Sequence, residues 1–149
     1  MVDCSVAVKW KIPTEEYAAA AEALFVDWEH QVVDVSVPNH FPPEVISAFL
    51  RACRRDRITA DEARKAIRDL LALPFILRDV TALADRAFAI AYQHQQRAYD
   101  CFYVALAERD GIELWTGDER LYNALHAQHA FVRWIADYQQ QWSGEPGKL

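Results

Sequence analysis

Four acidic residues fall where an α/β chain could use them together. Asp3 and Asp118 each follow a short apolar, β-prone stretch, and Glu44 and Asp100 each stand in the first turn of a helical pattern. Ligand-binding groups of a parallel sheet gather just past the carboxyl ends of its strands, so all four acids can converge on one edge. Carboxylates held a few ångströms apart repel strongly, and such a cluster persists only when protonated or neutralised by a cation. Oxygen-only ligands suit Mg²⁺, with Mn²⁺ as a substitute, bound through a few carboxylates and several waters. The chemistry this permits is phosphodiester hydrolysis by a metal-activated water. Ser5 and Thr116 are the hydroxyls placed to hydrogen-bond and orient the acids. Each acid also has a purely structural use: Asp118 as a helix N-cap, Glu44 and Asp100 as charges at a helix start, Asp3 as the end of a strand. The chemical reading rests on their occurring together.

The elements that must position them follow from periodicity. Ala98, Phe102, Ala105, Leu106 and Arg109 fall at helical spacing between Arg97 and Asp110, and Gly111 follows as a stop, so Asp100 lies in the first turn of an apolar helix. Met1-Val2 leads into Asp3 as an unusually short first strand: either the chain start is trimmed or the strand has only two or three residues. Thr14 to Glu29 predicts a helix with Tyr17, Ala20, Ala21, Leu24, Phe25 and Trp28 on one face, and Val32 to Val37 predicts a strand ended by Pro38. Pro42 and Pro43 open a helix from about Glu44 to Arg55, and Thr59 with Glu62 forms a capping box for a second, to Leu73. Phe75-Ile76-Leu77 predicts a strand, Thr81 to Gln96 a helix, Ile112 to Trp115 a strand, Glu119 to Ala127 a helix and Phe131 to Ile135 a last strand. This alternation implies a mostly parallel sheet covered by helices on both faces.

Composition narrows the classes. A chain of 149 residues, 52% hydrophobic, forms one domain with one sizeable core. No apolar run approaches the roughly 18 residues of a membrane span, and no basic n-region precedes an apolar stretch, so a soluble, cytoplasmic protein is expected. Three scattered cysteines make no Cys-x-x-Cys pair, and Cys4 and Cys101 read as core residues beside motif acids. Among five histidines, His126 and His129 at i, i+3 form no complete ligand pattern. Both glycine-rich phosphate-loop patterns are absent, which disfavours nucleotide cofactors. A net charge of −6 argues against a general nucleic-acid coat protein. Between Arg51 and Arg68, however, seven basic residues stand against three acidic ones. Such a run is either a solvated helical face or a basic arm, led by Arg51, Arg54 and Arg55, that holds a polyanion beside the acids.

The blocks Asp3-x-Ser5-Val6-Ala7-Val8-Lys9-Trp10, Pro43-Glu44, Tyr99-Asp100-x-x-Tyr103-Val104-Ala105-Leu106-Ala107 and Thr116-Gly117-Asp118-x-x-Leu121 resemble, in order and spacing, the four motifs of the PIN domain, in particular of VapC-type toxins. The resemblance runs from Met1 to about Trp134. It implies a three-layer, Rossmann-like fold with a mostly parallel five-stranded sheet; the nuclease domain is expected over residues 1–136, followed by a partly disordered C-terminal extension, 137–149, in which Gly144 to Leu149 reads as a frayed tail. It also implies a Mg²⁺-dependent endoribonuclease of a type II toxin–antitoxin pair, homodimeric and inhibited by a cognate VapB-like antitoxin. Asp3, Glu44, Asp100 and Asp118 carry over as catalytic, metal-binding acids, with Thr116 in support. Ser47 stands where the family often has asparagine, and the amino terminus is expected near Asp3, where its charge would compete with metal. Two other classes compete. A non-catalytic PIN-like module would hold a metal or a partner without turnover. A haloacid-dehalogenase-type phosphotransferase would need a second aspartate where Ser5 stands.

Overall fold

Five consecutive buried side chains, Tyr103 to Ala107, put helix α6 (Ala98–Asp110) at the centre of a computed structural model that describes residues 1–144. Arg97 precedes α6 in an extended conformation. At the other end Gly111 adopts φ +65°, a left-handed conformation that glycine takes without a Cβ penalty, and the Ile112 N–H closes back on the Ala107 carbonyl at 3.1 Å. One flank of α6 packs on α5 (Ala84–His94), and the strands β1 (Ser36–Pro38) and β3 (Leu114–Thr116) lie against it elsewhere. A helix covered on several sides has to be apolar around most of its girth, as this one is.

All strand pairing is parallel. β1 pairs with β2 (Ile76–Arg78), Ser36 opposite Ile76, and β3 pairs with β4 (Val132–Trp134), Leu114 opposite Val132. Val2 forms a single bridge to Trp115, held by the Asp3 N–H to the Trp115 carbonyl at 3.2 Å and the Trp115 N–H to the Met1 carbonyl at 3.0 Å. This bridge delivers Asp3 directly beside the end of β3. Among the described residues the expected five-stranded sheet consists of two two-stranded ladders plus this bridge.

The helices depart from expectation chiefly at their starts. After Asp3 the chain turns at once into α1 (Cys4–Ala7) and a 3₁₀ turn, Val8–Trp10. Helix α2 spans Ala18–Glu29, four residues later than Thr14, because Tyr17 takes φ +60° and breaks the pattern there; Tyr17 is exposed. The strand expected at Val32 begins only at Ser36, since Val32 closes a turn onto the Asp27 carbonyl. Helix α3 (Phe41–Arg54) takes both prolines into its first turn, and α4 (Ala60–Leu71) carries the expected capping box, with Thr59 and Glu62 bonding reciprocally. A 3₁₀ turn, Thr81–Leu83, precedes α5, and α7 (Glu119–Leu125) follows Asp118.

Within the C-terminal extension, residues 138–142 dock onto the buried carboxylate of Asp27. It accepts from the Tyr138 hydroxyl at 2.7 Å and from the Gln141 and Trp142 backbone N–H groups, each at 2.8 Å. The Trp142 ring stacks on His30. The rest of the tail whose fraying was expected, 145–149, lies outside the described residues.

Candidate active site

The site is built outward from Asp3. Its backbone is extended, it caps α1 by accepting from the Val6 N–H, and it is only 7% exposed. The Ser5 hydroxyl donates to one carboxylate oxygen and the Thr116 hydroxyl to the other, each at 2.5 Å. Each hydroxyl accepts in turn from the Thr116-Gly117-Asp118 turn: Gly117 N–H to Ser5 at 2.8 Å, Asp118 N–H to Thr116 at 3.0 Å. The two hydroxyls read as orienting groups are therefore part of one closed ring of bonds.

Asp118 ends this turn as the N-cap of α7, its carboxylate accepting from the Leu121 N–H. The cap foreseen for it is realised, and the same residue lines a cleft shared with Asp3. Asp100, in the first turn of α6, meets Arg120 at 3.2 Å. Glu44, in the first turn of α3, accepts from the Tyr103 hydroxyl at 2.5 Å, and the Nε2 of His40 stands 3.7 Å away. All four acids line one cleft of about 790 Å³.

The electrostatics are those of crowded acids. Burial raises the Asp3 pKa to about 6, more than its hydrogen bonds from Ser5, Thr116 and Val6 lower it, and Asp100 adds to the rise. Burial likewise raises Glu44 to about 7; the Tyr103 hydroxyl opposes this, while Asp3 and Asp100 reinforce it. Asp100 is shifted upward by burial and by Asp118, against Arg97 and Arg120. Burial pushes the Cys4 and Cys101 thiols up, to about 11 for Cys101, so both remain protonated bystanders. The amino terminus does not compete at Asp3 as expected. It donates to the Glu113 carbonyl at 2.9 Å, and burial lowers its pKa to about 6.

These donors fit a hard divalent cation. They are all oxygens, and the raised pKa values of Asp3, Glu44 and Asp100 mark a cluster that a positive charge would relieve. Among the described residues no three acidic, histidine or cysteine side chains form a ready cage.

The basic residues divide. Arg51 and Arg55 line the cleft, and Arg54 does not. Ser47 lines it too, but its hydroxyl donates back to the Pro43 carbonyl at 2.9 Å and is spent locally. Trp10 does not reach the cleft mouth: its indole N–H donates to the Ala21 carbonyl and its ring packs among Phe25, Trp28 and Phe75.

A family model for the PIN domain matches residues 1–126. The chain belongs to the PIN-domain family. Its relatives within the family are VapC ribonucleases. Ribonuclease VapC12 of Mycobacterium tuberculosis is 32% identical over 136 residues, which cover 91% of this chain and 98% of that protein. Ribonuclease VapC3 of the same organism is 36% identical over 93 residues, 62% of this chain and 66% of the relative. The crystal structure of PAE2754 from Pyrobaculum aerophilum superposes with a TM-score of 0.66 at 19% identity, covering 90% of this chain and 88% of that one, and so shares the fold.

In this PIN domain, Tyr103 belongs to a sequence motif that gives it no task of its own, and motif spacing misses His40, Arg97 and Arg120 beside the acids. For Tyr103 a signal exists: it lies three residues after Asp100 on one helix, so its single polar atom has to find a partner inside the apolar layer. For Arg120, spacing carries none, because its pairing with Asp100 depends on how α7 sits against α6.

Proposed function

We propose that residues 1–136 form a Mg²⁺-dependent endoribonuclease, with Mn²⁺ able to substitute, acting as the cytoplasmic toxin of a type II toxin–antitoxin pair. The observation that carries this reading is the buried Asp3 carboxylate. It is bonded on both oxygens and shares an acid-lined, arginine-rimmed cleft with Glu44, Asp100 and Asp118. The curated relatives named as ribonucleases support RNA as the substrate. No helix of the described residues is long and apolar enough to cross a membrane.

Bound at these acids, a divalent ion would lower the pKa of a water and offset charge building on the phosphate. Asp3, Asp100 and Asp118 would hold it directly or through water. Ser5 and Thr116 fix the Asp3 carboxylate so that its remaining lone pairs face the cleft. Glu44, with a pKa of about 7, is suited to take a proton from water near neutral pH. Tyr103 binds one of its oxygens and so orients the other. Arg51 and Arg55 guide phosphates into the cleft, with Arg54 adding long-range attraction. The active form is a homodimer, and a VapB-like antitoxin restrains it.

The test is incubation of the purified protein with total and structured RNA in Mg²⁺ or Mn²⁺, then in EDTA, with Asp3→Asn in parallel. Discrete cleavage that needs both metal and Asp3 is the expected result. Metal binding without turnover of any RNA would turn the assignment to a non-catalytic PIN module, and cleavage retained by Asp3→Asn would overturn the site.

A further inference from the structure

Lys9 is a nearly buried cation without a partner. It sits in the 3₁₀ turn after α1, is 8% exposed, and lines the cleft together with Asp3, Ser5, Gly117 and Asp118. Among the described residues its ammonium makes no hydrogen bond and has no carboxylate oxygen within 4.0 Å. The stem is what is buried: Lys9 Nζ is not among the fully buried unpartnered atoms, so the ammonium reaches the solvent of the cleft, where an anion can take the place of water. Nor does Lys9 serve as the counter-charge of Asp3, whose pKa remains raised by burial.

The path of the side chain is defined by Gly117. A Cβ on Gly117 would stand 2.7 Å from Lys9 Cε, 3.4 Å from its Nζ and 3.2 Å from Ser5 Oγ. The backbone of Gly117 is not left-handed, so a side chain there would meet no backbone penalty but would push the Lys9 tail aside. The lysine tail passes across the face of this glycine, and its head emerges between the Asp3–Ser5 turn and the Thr116–Asp118 turn. What comes to that place is set by charge. A compact ammonium beside acids that take a divalent cation suits a phosphate oxygen, which is drawn to both.

We propose that the Lys9 ammonium, passed across Gly117, is the phosphate-binding cation of the cleft floor and contacts a non-bridging oxygen of the RNA phosphodiester lodged at the acids. This rests on the ribonuclease reading above. Because the Lys9 head stands against Gly117 and Ser5, the one next to Asp118 in sequence and the other bonded to Asp3, the phosphate it holds is the one beside those acids. Arg51, on α3, and Arg55, which caps that helix, meet the strand farther along.

The experiment compares wild type, Lys9→Met and Lys9→Arg on one fluorescein-labelled single-stranded RNA. Binding is measured in EDTA across a salt series, single-turnover cleavage in Mg²⁺ at saturating protein, and Mn²⁺ affinity without RNA, with thermal unfolding as the check on folding. Lys9→Met is expected to lower the slope of log affinity against log salt by about 0.7, the loss of one phosphate contact on a single strand. It is expected to slow saturated cleavage by about 100-fold, as when one charge-stabilising donor is removed, and to leave Mn²⁺ affinity unchanged or tighter. Lys9→Arg, which keeps the charge, restores the slope. An unchanged slope, or a saturated rate equal to wild type, overturns the assignment. So does a parallel loss of Mn²⁺ affinity, which would make Lys9 a residue that merely arranges the acids. Failure of the wild type to cut any RNA would remove the ribonuclease reading, while the slope measured in EDTA would still judge Lys9 as a phosphate contact.

Discussion

Asp3 and Asp27 are both buried aspartates that accept several hydrogen bonds, and their acidities move in opposite directions. Asp27, 0% exposed within α2, is held below the usual carboxylate range: burial would raise it, but the Tyr138 hydroxyl, the Gln141 and Trp142 N–H groups and the nearby His30 outweigh that. Asp3 has comparable donors in Ser5, Thr116 and Val6, yet burial wins there, and neighbouring Asp100 adds to the rise. The difference lies in what else each carboxylate faces. Asp27 meets backbone donors that fix a chain segment in place, whereas Asp3 looks into a cleft shared with three other acids. One carboxylate is used to hold the fold, and the other is kept at a cost to the fold in the acid-lined cleft where the proposed cation would bind.

Substitution should separate the two most sharply. Asp3→Asn should reduce cleavage by at least about 100-fold. In metal-free protein at pH 8 it should also raise stability, by up to about 3 kcal/mol for a shift of some two pKa units, as read by urea unfolding. A less stable Asp3→Asn protein would break the contrast. Asp27→Ala should do the reverse: it costs about 3 kcal/mol through unpaired donors at Tyr138, Gln141 and Trp142, and leaves metal-dependent cleavage by the folded fraction intact.

The pH dependence sharpens the comparison further. Asp3 and Glu44 have folded pKa values above their unfolded ones, so the native state binds more protons between about pH 4 and 7. Their contribution is fully present below about pH 4 and is lost as pH rises through about 7. The depressed pKa of Asp27 works the other way, its contribution being present above its unfolded value near 4 and lost as pH falls below it. Urea midpoints measured in EDTA should therefore decline from pH 4 to 7 in wild type and flatten in Asp3→Asn, while the loss below pH 4 flattens in Asp27→Asn. Adding Mn²⁺ should reverse the decline, because the metal takes the deprotonated acids.

The smallest effect concerns the arginine on Asp100. Arg120 is about half exposed, so its pair with Asp100 is worth at most about 1 kcal/mol. Arg120→Gln should tighten Mn²⁺ binding by no more than about fivefold in calorimetry, with no measurable change in stability.

The same contrast explains which features are legible in the amino-acid sequence alone. Asp3, Glu44, Asp100 and Asp118 are legible because each sits at or beside the start of a helix, within a short run of residues that forms one of the four motif blocks, and element ends are set locally. The capping box at Thr59 and Glu62 and the Gly111 stop are legible for the same reason. Asp27 is not, since in the middle of an amphipathic helix it reads as one more solvent-facing polar residue, and its partners lie 111 to 115 positions away. The start of α2 falls later than its spacing suggests because the left-handed Tyr17 leaves no trace in hydrophobic periodicity. Lys9 reads as an ordinary charge, because the room it needs is made by Gly117, more than a hundred residues later.

The ring that joins Asp3 to Thr116 has a temporal side. Its two ends are 113 residues apart, and the bridge from Val2 to Trp115 that aligns them needs β3 to be present. A chain emerging from the ribosome has Asp3 long before the Thr116 hydroxyl and Asp118, and long-range pairings of this kind form late. The acids are therefore scattered until β3 and the turn after it have been made, and only then can the ring close around Asp3.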